Sequence, residues 1–179
     1  QCLEAYLGTP YTPPADGIAL EGLRRAVRHL EPAVANGRDV IARRELLAAA
    51  LNAGLAAQKG EGGITAAARA LEAEAGPGPR HGACHAALLP AVLAFNAPAV
   101  ADRFAAIAEA MRLPRRADVV AALVDLAGRV GLPTRLAATG IEATMLEPAA
   151  HAAAADVANR TNPRHATAHD YQTILQAAW

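Results

Sequence analysis

At 179 residues the chain is long enough to bury one sizeable core without disulfide staples. Its 17 basic and 17 acidic side chains balance to a formal net charge of zero and are dispersed, which excludes the electrostatic footprint of a nucleic-acid or anionic-membrane binder. Roughly a quarter of the residues are alanine, aromatics make up 3%, and strand-favouring runs are nearly absent, so the composition selects closely packed helices over a sheet.

The chain opens on Gln1-Cys-Leu-Glu-Ala-Tyr-Leu7, the latter part of an amphipathic helix with no initiator Met and no N-cap residue before it. A fragment, a processed product or one half of a split protein is therefore expected. Residues 8–14 form a loop, because Pro10, Pro13 and Pro14 cannot continue a helix. Asp16 is placed to cap a helix running to residue 35, with Ile18, Leu20, Leu23, Val27 and Leu30 on one side and Asn36-Gly37 as its stop. A second long helix, residues 38–58, carries Ile41, Leu47, Leu51 and Leu55 at near-helical spacing, and its many alanines allow close approach of a neighbour.

Gly60-Glu-Gly-Gly63 follows a helix rather than a strand, so it reads as a helix breaker and not as a phosphate cradle. An alanine-rich helix to residue 75 ends at the breaker Gly76-Pro-Gly-Pro79. An apolar helix from His81 follows, interrupted at Pro90 and ended at Asn96. In residues 99–111, Val100, Phe104, Ile107 and Met111 make a buried stripe, repeated by Val119, Val120, Leu123, Val124 and Val130 in the next helix. Residues 131–136 connect to a helix over 142–157, and Thr167-Ala-His-Asp170 is a capping box that opens a last helix to Trp179. The sum is an all-α bundle of about eight helices in a single domain, residues 1–179.

Cys2 and Cys84 are too few and too far apart for a disulfide framework and read as buried free thiols in a reducing, cytoplasmic setting. No apolar run is read as reaching the roughly 20 residues that span a bilayer, so no membrane partner is expected.

The candidate site is His81-Gly-Ala-Cys-His85. Two imidazoles one helical turn apart share a face and suit either a metal or an acid/base pair. Taken singly, each has a structural reading too: His81 as a helix cap, His85 as a satisfied interior histidine, and Gln1 as a frayed terminal residue. His29 and His151 fall within amphipathic helices and His165 and His169 in the C-terminal connector and first turn, where a solvated role is expected. The pairs Arg43-Arg44 and Arg115-Arg116 sit on polar faces.

Several pieces in order resemble the C-terminal half of the iron-containing (group III) alcohol dehydrogenases, and within them the maleylacetate reductase branch. They are the opening Glu4-Ala-Tyr6, His81 and His85 with Leu89-Pro90 and Phe95-Asn-Ala-Pro98, Val130-Gly-Leu-Pro-Thr-Arg-Leu136, Asn162-Pro-Arg164, Asp170-Tyr171, and the terminal Ala-Ala-Trp179. The resemblance implies a helical domain that works beside a nucleotide-binding α/β domain, with NAD(P) as cofactor and iron or zinc as metal. This chain carries no Gly-rich strand-turn-helix, so a nucleotide-binding partner domain is implied elsewhere.

Of the four metal ligands that the resemblance implies, an aspartate falls before residue 1, one histidine falls on Gln1 and another on Ala67; a further family histidine, outside that set, falls on Leu71. Only His81, followed by Gly82, is retained. On that reading His81 is the metal-side and proton-donating residue, His85 assists it, Gln1 hydrogen-bonds substrate oxygens, and Glu61, Glu72 and Glu74 fall near the lost ligands. The implied reaction is hydride transfer from a nicotinamide to a small carbonyl or enoyl acid, with a homodimer among the assemblies the family allows. The alternative is a degenerate, non-catalytic helical module that binds a partner or small ligand in the residual cleft. An exposed apolar face would favour the first.

Overall fold

The computed structural model describes residues 1–76, 81–114 and 116–179. Among them are nine α-helices, short 3-10 turns and no strand. The helices are α1 (Cys2–Leu7), α2 (Pro13–Ala35), α3 (Val40–Ala56), α4 (Gly63–Ala75), α5 (His81–Val100), α6 (Phe104–Ala110), α7 (Val119–Arg129), α8 (Leu146–Ala155) and α9 (Ala168–Ala178). Pro77, Gly78 and Pro79 of the expected breaker, and Arg115 of the Arg115-Arg116 pair, lie outside the described residues.

Helix α5 divides the interior. Cys84, Leu88 and Val92 join Leu71 of α4, the alanines of α8, and Tyr171 and Leu175 of α9 in one core. Leu93 and Val100 join Leu3, Leu7, Leu23, Ile107, Met111, Val119 and Leu123 in a second. Burial on both sides explains why α5 is apolar around its circumference rather than along one stripe. It also corrects two expectations: α5 runs through Pro90 and Pro98 and past Asn96 to Val100. A missing N–H in a helix interior costs about 3 kcal/mol, which packing on both sides can outweigh. The stretch His81–Ala110 is, by length and composition alone, apolar enough to cross a bilayer, contrary to the expectation that no run reaches that length. Here it holds the position of a core element.

Helix α2 starts three residues before the expected cap. Pro13 and Pro14 occupy its first turn and Thr12 is the N-cap residue, positions where a proline's missing N–H is not needed. Asp16 is instead drawn inside: its carboxylate takes Lys59 Nζ at 2.6 Å and Arg103 Nη2 at 3.0 Å. Lys59 also donates to the Tyr6 carbonyl at 3.1 Å, and Arg103 lies over the Tyr6 ring. The cluster ties α1, α2 and the segments after α3 and α5 to one another.

The α3 stripe is a further correction. Ala42, Ala49 and Ala56 pack inward, while Ile41, Leu47, Leu51 and Leu55 are 63%, 73%, 64% and 50% exposed. Small side chains seat α3 closely on α2, and the leucines are left on the outward face.

The N-terminus of α4 is held by distant side chains. Glu4 Oε1 accepts from the Ile64 and Thr65 N–H groups at 2.7 and 3.0 Å, its Oε2 accepts from Thr65 Oγ1 at 2.6 Å, and Asn162 Oδ1 accepts from Gly63 N–H at 2.9 Å. The free N–H groups that make a helix start an anion site are thus taken by protein acceptors, in keeping with a structural role for residues 60–63. Gly60 sits at φ +147, and a Cβ there would meet Thr161 at 2.7 Å, so only glycine fits that approach. The capping box of α9 forms as expected, with Thr167 Oγ1 accepting from Asp170 N–H and Asp170 Oδ2 accepting from Thr167 N–H.

Candidate functional site

The end of α4 and the start of α5 bring three titratable side chains together. His81 Nδ1 lies 2.8 Å from Glu72 Oε1. The carboxylate accepts, so Nδ1 carries the proton and a neutral His81 keeps its lone pair on Nε2. One turn later, His85 Nδ1 donates to the His81 carbonyl at 3.0 Å. The two rings lie 4.1 Å apart, tilted by 52°.

That bond fixes the tautomer of His85 and turns its Nε2 lone pair inward. Nε2 is buried and has no hydrogen-bond partner among the described residues. Burial, first among the causes, also pulls the His85 pKa below its ordinary value. The ring is held neutral, with a lone pair available to a donor or a cation.

His81 and His85 line a groove of about 470 Å³ between α1, α2, α3 and α5. Gln1 and Cys2 close one end, and Leu23, Leu46 and Ala49 belong to its apolar wall. All three sequence-expected site residues, Gln1, His81 and His85, therefore border one cavity. His81 is exposed and His85 half-buried, so the pair spans the groove mouth and floor. Such a mostly apolar pocket with a few convergent polar groups is the usual form of a small-molecule site. A wider cleft of about 780 Å³, lined by Gly82, Ala83, Leu132, Pro133 and Thr139 among others, has no titratable side chain among the described residues that line it.

Glu72 is the contributor that sequence reasoning did not assign a role. Its only signal was its closeness to the implied ligand positions. Of its companions, Glu61 pairs with Arg69 at 2.6 Å and Glu74 is exposed. Both thiols are shifted upward by burial, so they stand as neutral SH groups; Cys84 is buried and Cys2, contrary to expectation, only half-buried. His29 is half-buried, and His151, His165 and His169 are exposed.

An all-helical chain with this site matches the sequence model of the Fe-containing alcohol dehydrogenase family, C-terminal part, over residues 1–179. The chain belongs to that family. It is 38% identical over 182 residues to the 4-hydroxybutyrate dehydrogenase of Cupriavidus necator, covering 98% of this chain and 48% of that protein. A crystal structure of 1,3-propanediol oxidoreductase superposes with a TM-score of 0.93 at 29% identity, over 99% of this chain and 48% of the other. Maleylacetate reductase from Agrobacterium tumefaciens superposes at 0.84 and 28% identity, over 99% and 49%. The chain thus spans about half the length of the relatives it matches.

The family name carries iron, and the side chains here can be tested against it. Ala67, where the resemblance places a ligating imidazole, and Leu71, where it places a further histidine, are wholly buried in the apolar core and offer no donor. A different donor set does exist. Glu72, His81 and His85 each offer one ligating atom, and the three lie within 4.8 Å of one another. A dinucleotide has no comparable fit: the described residues contain no strand, and hence no βαβ unit to carry one.

Proposed function

We propose that this chain is the helical, substrate-side half of an oxidoreductase, a single domain of residues 1–179 that works beside a nucleotide-binding α/β domain. The assignment rests on one observation above the rest: Gln1, His81 and His85 converge on one groove in a member of this family. The substrate class is a small carbonyl or enoyl acid; the short hydroxy acid in the name of the Cupriavidus relative is of the kind that reduction of a small oxo acid gives.

A reduced nicotinamide, when bound by the other domain, supplies the hydride from its C4. This chain supplies the rest. Glu72 orients His81, and protonated His81 gives its Nε2 proton to the substrate oxygen as the carbonyl carbon gains hydride, so an alcohol leaves. His85, an acceptor at Nε2, takes the hydrogen bond of the hydroxyl that forms, and Gln1 holds the substrate's other oxygens with its amide. The apolar wall from Leu23 and Leu46 excludes water. The outward apolar face of α3 supports the view that the chain works within a larger assembly, a homodimer being the simplest. Two free thiols suit a cytoplasmic protein.

The test joins the chain to its nucleotide-binding half and follows nicotinamide oxidation with short oxo acids and aldehydes. His81→Ala is expected to lower kcat about a hundredfold or more, and Gln1→Ala to raise KM more than it lowers kcat. No nicotinamide-dependent turnover by the joined protein would sink the reading and leave a non-catalytic helical module.

A further inference from the structure

We infer that Glu72, His81 and His85 form a divalent-cation site of this chain's own, built on a donor set that stands in for the implied ligand lost at Ala67. The inference deepens the oxidoreductase reading and rests on it for its use, though not for its existence.

Three facts carry it. The donor set is two imidazoles and one carboxylate, the minimum that holds zinc at catalytic sites and the set that leaves open positions on ferrous iron. The ligating atoms already lie within 4.8 Å of one another. Bonds of about 2.0–2.2 Å require roughly 3.3 Å between tetrahedral ligands, so side-chain shifts of up to about 1.5 Å close the set. His85 Nε2 supplies the independent sign: a buried lone pair without a partner, on a ring whose other nitrogen is pinned by the His81 carbonyl. A buried acceptor left unmatched is costly, and a cation satisfies it.

The remaining positions face the groove that His81 and His85 line together with Gln1. A substrate oxygen or water fills them. A bound cation would supply Lewis-acid polarisation of the carbonyl, with His81 then a ligand and the proton for the alkoxide coming from water in the groove. Loading therefore switches the way this site handles the substrate oxygen. His151, exposed on α8, is not one of the converging donors.

The experiment titrates the chain with cobalt(II), read by its visible d–d bands, and with zinc(II) in competition. One equivalent is expected to bind. His81→Ala and His85→Ala should abolish the bands, Glu72→Gln should weaken binding about tenfold or more, and His151→Ala should change nothing. Circular dichroism melts of each variant establish folding. If a variant does not fold, zinc-induced shifts of the His81 and His85 ring resonances in the unmutated chain decide the matter. Absence of saturable binding, binding undiminished in His85→Ala, or ring resonances that zinc leaves in place would each overturn the inference. Loss of the cation site with turnover retained in the joined protein removes this inference alone. A bound cation with no turnover removes only the reductase reading.

Discussion

Asn96 and Asn162, sixty-six residues apart, exchange two amide hydrogen bonds. Asn96 Nδ2 donates to Asn162 Oδ1 at 2.9 Å, and Asn162 Nδ2 donates to Asn96 Oδ1 at 2.8 Å. Both are 3% exposed. The same Asn162 oxygen accepts from the first N–H of α4, and its Nδ2 also donates to the Arg164 carbonyl. One buried pair therefore joins the late part of α5, the start of α4 and the segment before α9. Reciprocal pairing of this kind satisfies both amides and admits few substitutes.

Asn96→Ala leaves two Asn162 atoms short of a partner in the interior. It should destabilise the fold by about 2–4 kcal/mol in urea unfolding. Asn96→Asp keeps the acceptor but sets a carboxylate against Asn162 Oδ1. Its deficit relative to wild type should be large at neutral pH and shrink in acid, where the protonated acid can donate again. Equal deficits at both pH values would contradict the pairing.

Glu4 makes a second test of the same interior. Glu4→Ala removes an acceptor shared by two helix N–H groups and a hydroxyl, with an expected loss of about 3–5 kcal/mol. Glu4→Gln retains Oε1, and the Thr65 hydroxyl can turn to accept from the new amide. A loss of about 1–2 kcal/mol is expected. The ordering Ala worse than Gln, measured by chemical denaturation, is the point at issue; the reverse would mean that Glu4 is not the cap of α4.

These residues explain why the sequence resemblance was legible and what it marked. Glu4 of the opening helix, Asn96 beside Phe95, Asn162 of Asn-Pro-Arg and Tyr171 of Asp-Tyr are interior ties. Asn159 completes them, taking the Tyr171 hydroxyl at 3.2 Å and spanning the Ala154 and Ala166 carbonyls with its Nδ2. Burial, with Glu4 and Asp156 adding to it, holds the Tyr171 phenol far above its ordinary range. The signature thus reports largely how the helices are clamped, and of the groove residues only His81 keeps the ligand position that the resemblance implies.

What was readable was local. The Thr167 capping box and the Val100, Ile107 and Met111 stripe are settled within a few residues of chain, and they stand where expected. What was hidden depended on partners elsewhere. Asp16 looked like a cap because its call on Lys59 and Arg103 is tertiary. Pro90 looked like a break because burial on both sides of α5 does not show in its sequence. Glu72 reaches His81 only because α4 and α5 meet at their ends.

The α3 leucines test the outward face directly. Leu47→Lys with Leu51→Lys should alter unfolding free energy by no more than about 0.5 kcal/mol each, since neither side chain is buried in this chain. Any concentration-dependent self-association seen by sedimentation should fall. A loss of more than about 2 kcal/mol in dilute solution would show that this face is covered within the chain.

Asp170 gives the pH prediction. Hydrogen bonds from the Thr167 hydroxyl, and then from its backbone N–H, pull the Asp170 pKa below the ordinary value of 3.8. A carboxyl whose folded pKa is depressed stabilises the fold above its unfolded pKa, and that contribution is lost as pH falls through the folded value. The group is solvent-accessible, so the effect is the modest one of a helix cap, about 0.5–1 kcal/mol. Urea midpoints of wild type and Asp170→Asn should therefore differ by a constant amount from neutral pH down to about pH 5 and converge below about pH 4. A difference that grows toward acid would have the wrong sign for the capping box and would place the charge-dependent stability elsewhere in the helix.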